Sequence, residues 1–217
     1  MAQTAAAHRM QQLRLAIVAP RFWPLVEDAP QHLLQLAESL IAAGHAVDVV
    51  TPLWKRSWPR AMQVGPVPLV RLRGSPRTAL GTVRWMYSLA GWLREQRPAG
   101  MLVGGLRHEA YVALGMPPKI RPRVVLVAGE DDLAWQRTAA FGSRIAARCR
   151  QAPAIVAASE ELADGLASAG YSRERITVIP RRVPIPSPRS PAARDQARAA
   201  LAAVNHDLVT TTTAPVA

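Results

Sequence analysis

Short apolar runs alternate with segments of helical period along most of this chain, and that alternation limits the fold more than any other feature. Leu13 to Ala19 (LRLAIVA) is apolar and partly β-branched and ends at Pro20, as a buried strand does. From about Gln31 to Ala43 the period changes: Leu33, Leu36, Ala37, Leu40 and Ile41 share one helical face, and Gly44 stands where a helix-terminating glycine belongs. Ala46 to Thr51 (AVDVVT) is a second strand, which completes a βαβ unit with a right-handed crossover. The pattern continues with strands at Pro68 to Arg73, Met101 to Val103, Val124 to Ala128, Ala154 to Ala158 and Ile176 to Ile179. Helices are expected at Thr78 to Glu95 and His108 to Leu114, as one long helix from Asp131 or Asp132 to Cys149, and at Glu160 to Ala169 behind a Ser159 cap. Strands this continuously apolar need cover on both faces, so the expected class is α/β, a Rossmann-like parallel sheet between two helical layers.

Composition narrows the remaining classes. The chain is 49% hydrophobic and 19% charged, as folded proteins are, and no apolar run is long enough to cross a membrane. The first dozen residues carry His8 and Arg9 but no apolar stretch, so a secretory leader is not expected. The lone Cys149 excludes an internal disulfide framework, and no histidine pairs with it at metal-ligand spacing, so no metal site is expected. The net charge of +12 invites a nucleic-acid reading, but all the basic residues except Lys55 and Lys119 are arginine, and no RNA-binding aromatic motif, zinc-finger spacing or basic arm is present. Position says more than total. Between residues 54 and 100, Lys55, Arg56, Arg60, Arg71, Arg73, Arg77, Arg84, Arg94 and Arg97 face Glu95 alone, which marks a surface that meets something anionic. After Pro180 the composition turns proline-rich (PIPSPRSP), so residues 1–183 are expected to form one domain and 184–217 a linker, a helix and the start of a further domain.

One helix has a surface question attached. In Thr78 to Glu95, Ala79, Val83, Met86, Ala90 and Leu93 fall in one arc and are assigned to the core. Trp85, Leu89 and Trp92 form a second stripe, with Arg77 and Arg84 beyond it. Tryptophans bordered by arginines suit an interfacial helix on an anionic membrane surface, while the plainer reading is that they widen the buried face.

Three stretches carry a family resemblance. IVAPRFWPLVEDAPQHLLQLAESLIAAGHAVDVVTP near the start, AIVAASEELADGLASAG from Ala154 to Gly170, and RERITVIPRRV from Arg173 to Val183 together resemble the amino-terminal domain of a family-4 glycosyltransferase of the GT-B fold. The resemblance implies two Rossmann-like domains facing across a cleft, the first holding the acceptor and the second the nucleotide-sugar donor. It implies transfer with retention of configuration in bacterial glycan or glycolipid assembly, with the nucleotide-sugar as substrate and no separate cofactor. Partners would be a glycan or lipid-linked acceptor and an anionic membrane surface, in a cytoplasmic or inner-face peripheral location, without nucleic acid. This chain would be the acceptor half and inactive alone.

It departs from the family at three places. Glu27 and Asp28 replace the usual glycine pair of the first loop, where two carboxylates repel a diphosphate. Pro180-Arg181-Arg182-Val183 replaces Pro-Asn-Gly-Val, and Gly129-Glu130-Asp131 stands where many members place a histidine. These departures leave open a non-catalytic module that binds a membrane or a protein partner.

Candidate site residues follow from position. Glu27 and Asp28 lie beyond the carboxyl end of the first strand, where open α/β sheets bind ligands, and either contact acceptor hydroxyls or form a solvated acidic loop. Glu130 and Asp131 occupy the same edge further on, where one carboxylate of the run serves only as a helix cap. His108 follows a strand and either bonds a sugar hydroxyl or simply starts a helix. Arg181 and Arg182 would face the cleft of a two-domain enzyme and pair with phosphate, or form a basic hinge.

Overall fold

The computed structural model describes residues 12–22 and 28–180, with side chains from residue 32 onward in the first helix, and these all belong to one compact unit, Met1–Arg181. The strands are β1 (Arg14–Val18), β2 (Ala46–Pro52), β3 (Ala61–Val64), β4 (Val67–Leu72), β5 (Gly100–Gly104), β6 (Arg123–Val127), β7 (Ala154–Ala157) and β8 (Ile176–Val178). They form one sheet in the order β3-β4-β2-β1-β5-β6-β7-β8, parallel throughout except for the antiparallel β3–β4 pair. The helices are α1 (Asp28–Ala42), α2 (Ala79–Gln96), α3 (His108–Leu114), α4 (Asp132–Thr138), α5 (Gly142–Cys149) and α6 (Glu160–Ser168). The expected α/β class is the observed one.

Alternation along the strands divides the core between the two faces. In β1, Ala16 and Val18 join the cluster under α2, α3, α5 and α6, while Ile17 joins the cluster under α1 with Val47, Val49, Val67 and Leu69. All are nearly inaccessible to solvent, as a strand covered on both sides requires. Thr78 caps α2 by accepting from the Gly81 N–H at 3.1 Å, and Ser159 caps α6 as expected by accepting from Leu162 at 3.2 Å.

Three expectations change. The β3–β4 hairpin is absent from the sequence reading: Ala61–Val64 alternates too weakly to stand out, and Gly65-Pro66 was its available turn signal. The single long helix ending at Cys149 is two helices, because Ala139 is extended (φ −74°, ψ 141°) and Gly142 lies against the Gln136 backbone. A Cβ on Gly142 would meet the Gln136 carbonyl oxygen at 1.9 Å, so only glycine permits this reversal.

The third change is the face of α2. Trp85, Leu89 and Leu93, at i, i+4 and i+8, are fully buried and form the core stripe. Trp85 and Leu89 are therefore not membrane-surface residues, and Trp92 packs part-buried against the same core. Val83, assigned to the core from the sequence, is 47% exposed. The helix is rotated because an indole and a leucine remove more apolar area from water than alanine and valine do, and because the Trp85 Nε1–H finds a buried partner. What α2 presents outward is Leu80 (80% exposed), Val83 and Tyr87 (75%), with Arg84 among them.

Candidate functional site

The sheet order places a crevice beside β1. From β1 the chain goes through α1 to β2 on one side, and from β4 it returns through α2 to β5 on the other. The loops after β1 and β5 thus diverge, and open α/β sheets bind ligands in that gap at the carboxyl ends of the strands. A cavity of about 510 Å³ lies there. Ala19, Pro20 and Arg21 line it from β1, Trp54 from β2, Gly104, Arg107 and His108 from β5, and Gly129, Asp131 and Asp132 from β6.

Asp132 organises the floor. Its carboxylate is 2% exposed as a residue and accepts from the Leu106 N–H at 2.8 Å and the Gly129 N–H at 2.9 Å, while Oδ1 takes the Arg107 Nε–H at 2.8 Å. One side chain therefore joins the loop after β5 to the loop after β6. Each bond is charge-assisted and shielded from water, the setting in which such bonds contribute most. Behind it, Gln136 donates Nε2–H to the Leu106 carbonyl at 2.7 Å and accepts from the Tyr171 hydroxyl at 2.8 Å. The loop after β5 is thereby held from two sides.

His108 and Glu109 follow on that loop and differ sharply. The His108 imidazole meets Trp135 edge-on at 5.0 Å, and the Arg107 guanidinium lies 5.4 Å from the same indole. Burial, then the Arg107 charge, lowers the His108 pKa below 6.5, so the ring is neutral at pH 7 and has one nitrogen free to accept. Glu109 is 2% exposed and accepts from Trp85 Nε1 at 2.9 Å; burial is the main cause that raises its carboxyl pKa.

At the opposite rim stands Trp54. Its Nε1 donates to the Pro20 carbonyl at 2.8 Å, which fixes the indole beside the end of β1. The guanidiniums of Arg21 and Arg77 lie 5.9 and 5.5 Å from its ring centre. Arg77 is thus drawn to the cleft rim rather than standing on the outer face of α2 with Arg84.

Of the residues singled out from sequence, His108 and Asp131 line the cleft. Glu130 is exposed and outside the lining, and Asp28 is the first residue of α1. Glu27, Arg181 and Arg182 lie outside the described residues. Sequence reasoning reached Asp132 only as a possible cap and missed Trp54, Arg21, Arg107 and Trp135. A tryptophan two residues past the end of a central strand was the readable signal for Trp54. Among the described residues no group of His, Cys, Asp or Glu is arranged to hold a metal.

A Rossmann-like sheet with a polar and aromatic cleft at its switch point makes this an α/β domain of the doubly wound class. The description Glycosyltransferase Family 4 matches residues 29–187, and the chain belongs to that family. Solved structures agree on the fold. Sucrose-phosphate synthase from Thermosynechococcus elongatus superposes with a TM-score of 0.64 at 13% identity, over 79% of this chain and 49% of that one. Alr3699/HepE from Anabaena, in complex with UDP and glucose, gives 0.61 at 16% identity, over 89% of this chain and 51% of that one. The UDP-GlcNAc 2-epimerase from Methanocaldococcus jannaschii gives 0.52 at 14%, over 77% and 45%. The chain spans about half the length of these proteins. No curated protein matches it by sequence.

Proposed function

We propose that this chain is the acceptor-binding half of a retaining, nucleotide-sugar-dependent glycosyltransferase of bacterial glycan or glycolipid assembly, inactive without a second domain that carries the donor site. The observation that carries this reading, within a chain of Glycosyltransferase Family 4, is the cleft at the β1–β5 switch point, with its indoles, neutral imidazole and buried carboxylate. Such a lining suits a carbohydrate: ring faces pack on Trp54 and Trp135, and hydroxyls exchange hydrogen bonds with His108 and Asp131. In this scheme the domain orients the acceptor hydroxyl toward the donor carbon, and positioning supplies much of the rate. Solved relatives of the same fold hold UDP with glucose, or UDP-2-fluoro glucose, which supports a nucleotide-sugar as the partner substrate. The test is to assay the longest natural form of the chain with a panel of nucleotide-sugars. Sugar transfer with retained anomeric configuration by that form, and none by residues 1–217, is the expected result; inversion, or hydrolysis only, refutes it.

A second reading has its own observation. Leu80, Val83 and Tyr87 recur at i, i+3 and i+7 on the exposed side of α2 with Arg84 among them, which suits a non-catalytic or peripheral role on an anionic membrane at the inner face. Vesicle co-sedimentation over a salt series tests it. Binding that falls with salt and with Leu80→Ser favours this role, and binding indifferent to both excludes it.

A further inference from the structure

A second cavity, of about 380 Å³, lies outside the cleft and shares no lining residue with it. One wall is α2, whose Val83, Met86, Tyr87, Ala90 and Arg94 recur at i, i+3, i+4, i+7 and i+11, a stripe roughly 16 Å long at the helical rise. The facing wall holds Tyr111 of α3, Met116 just beyond that helix, and Arg148 of α5. The Arg148 guanidinium lies 4.0 Å over the Tyr111 ring, and its Nη1 donates to the Tyr111 carbonyl at 3.4 Å. Gly115 leaves it that room, since a Cβ there would come within 2.2 Å of Nη1. The cation is thus held half-buried in an apolar groove, where a charge without a counter-ion is costly. Among the described residues no carboxylate pairs with Arg148 or Arg94, and none lines the groove.

The lining narrows what can fill the groove. Paired tyrosines, methionines and arginines, without lysine, aspartate, glutamate or serine, are the make-up of the buried centre of a protein interface. Tyrosine and arginine supply anchors there, and methionine adapts to the shape of its partner. A membrane surface takes up side chains that project from a helix and favours indoles; here Met86 and Ala90 are recessed, and Trp85 and Trp92 pack into the core. A second copy related by a two-fold axis would bring the same arginines together. Residues 184–217 carry Arg189, Arg194 and Arg198 against Asp195 and Asp207, so they do not supply the missing negative charge. We infer that the groove docks an acidic amphipathic helix of a separate polypeptide, its apolar stripe on Met86, Tyr87 and Met116 and a carboxylate on Arg148. About three turns of such a helix match the α2 stripe in length. The remaining N–H donors of Arg148 then give the carboxylate charge-assisted bonds.

The test is fluorescence anisotropy on the full 217-residue chain with a labelled helical peptide. The peptide has about 18 residues, long enough to hold a helix, with leucine at i, i+3, i+4 and i+7 and glutamate on its flanks. A counterpart with lysine for glutamate, and one with the leucines scrambled, serve as references. The acidic peptide is expected to bind about tenfold more tightly than either, with the advantage lost in Arg148→Gln and Met86→Glu. Arg56→Gln, at an exposed position in the loop after β2, should keep it. Arg94→Gln repeats the test at an exposed position of the groove itself, where folding is not at stake. The proposal fails if the three peptides bind alike, or if Arg56→Gln costs as much as Arg148→Gln. It fails if Met86→Glu abolishes sedimentation with phosphatidylglycerol vesicles but leaves peptide binding intact, because the groove then meets a membrane. Self-association in the ultracentrifuge that Met86→Glu abolishes would make the occupant a second copy. A longest natural form that does not bind the peptide would mean that the rest of its own chain covers the groove, and either result overturns the inference. Sugar transfer at the cleft, measured separately, is untouched by such a failure.

Discussion

At the scale of single residues, the cleft depends on Asp132 more than on any exposed carboxylate near it. Asp132→Ala leaves two buried N–H groups and a guanidinium without their acceptor, and is expected to destabilise the protein by about 2–4 kcal/mol in urea denaturation followed by circular dichroism. Asp132→Asn keeps one acceptor and should cost less. The sequence displayed the run Glu130-Asp131-Asp132 but not which member turns inward, because that is decided by the neighbouring loop after β5. His108 was legible from its place between a strand and a helix, though its protonation was not. Its folded pKa is lowered by burial and by Arg107, so the unfolded chain binds the proton more readily. Its contribution to stability is thus complete above pH 6.5 and is lost as pH falls through the folded value. The His108 Cε1 proton should titrate below 6.5 by NMR, and His108→Gln should flatten the acid side of the stability curve; a midpoint at or above 6.5 would contradict the buried placement.

At the scale of elements, periodicity located nearly every strand and helix and misjudged how two of them sit. For α2 the sequence offered two apolar stripes side by side, and only packing decides between them: Trp85, Leu89 and Leu93 won the core because Glu109 waits beneath the indole N–H. Leu89→Ala is accordingly expected to cost about 2–5 kcal/mol, whereas Leu80→Ser, 80% exposed, should stay within about 0.5 kcal/mol; thermal melts of the two variants compare them directly. If the two effects were equal, the rotation of the helix would be wrong. The break between α4 and α5 was hidden for a different reason. Gly142 advertises a possible interruption, but its need arises from contact with the Gln136 backbone, which no local pattern records. The β3–β4 hairpin escaped because its first strand is short and half exposed, so alternation carries little signal there.

At the scale of the whole molecule, the fold class and the family were both readable, because alternating elements of this length admit few topologies and their order in the chain matches Glycosyltransferase Family 4 across residues 29–187. The position of the cleft was readable in outline as well, since the carboxyl ends of β1, β5 and β6 had to converge. The surroundings of Trp54 were not: Arg21, Trp54 and Arg77 come from three separate stretches of sequence, and the two guanidiniums reach the indole only when β1, β2 and the start of α2 are assembled. One buried group gives a means of watching that assembly come apart. Cys149, the single thiol, closes α5 at 0% exposure, and burial pushes its pKa up to about 12. A thiol reagent in solution should therefore ignore the native protein and modify it only when the α5 side of the sheet opens, at a rate set by that opening. The chain carries its own clock for partial unfolding, read out as the rate at which the thiol is modified under native conditions.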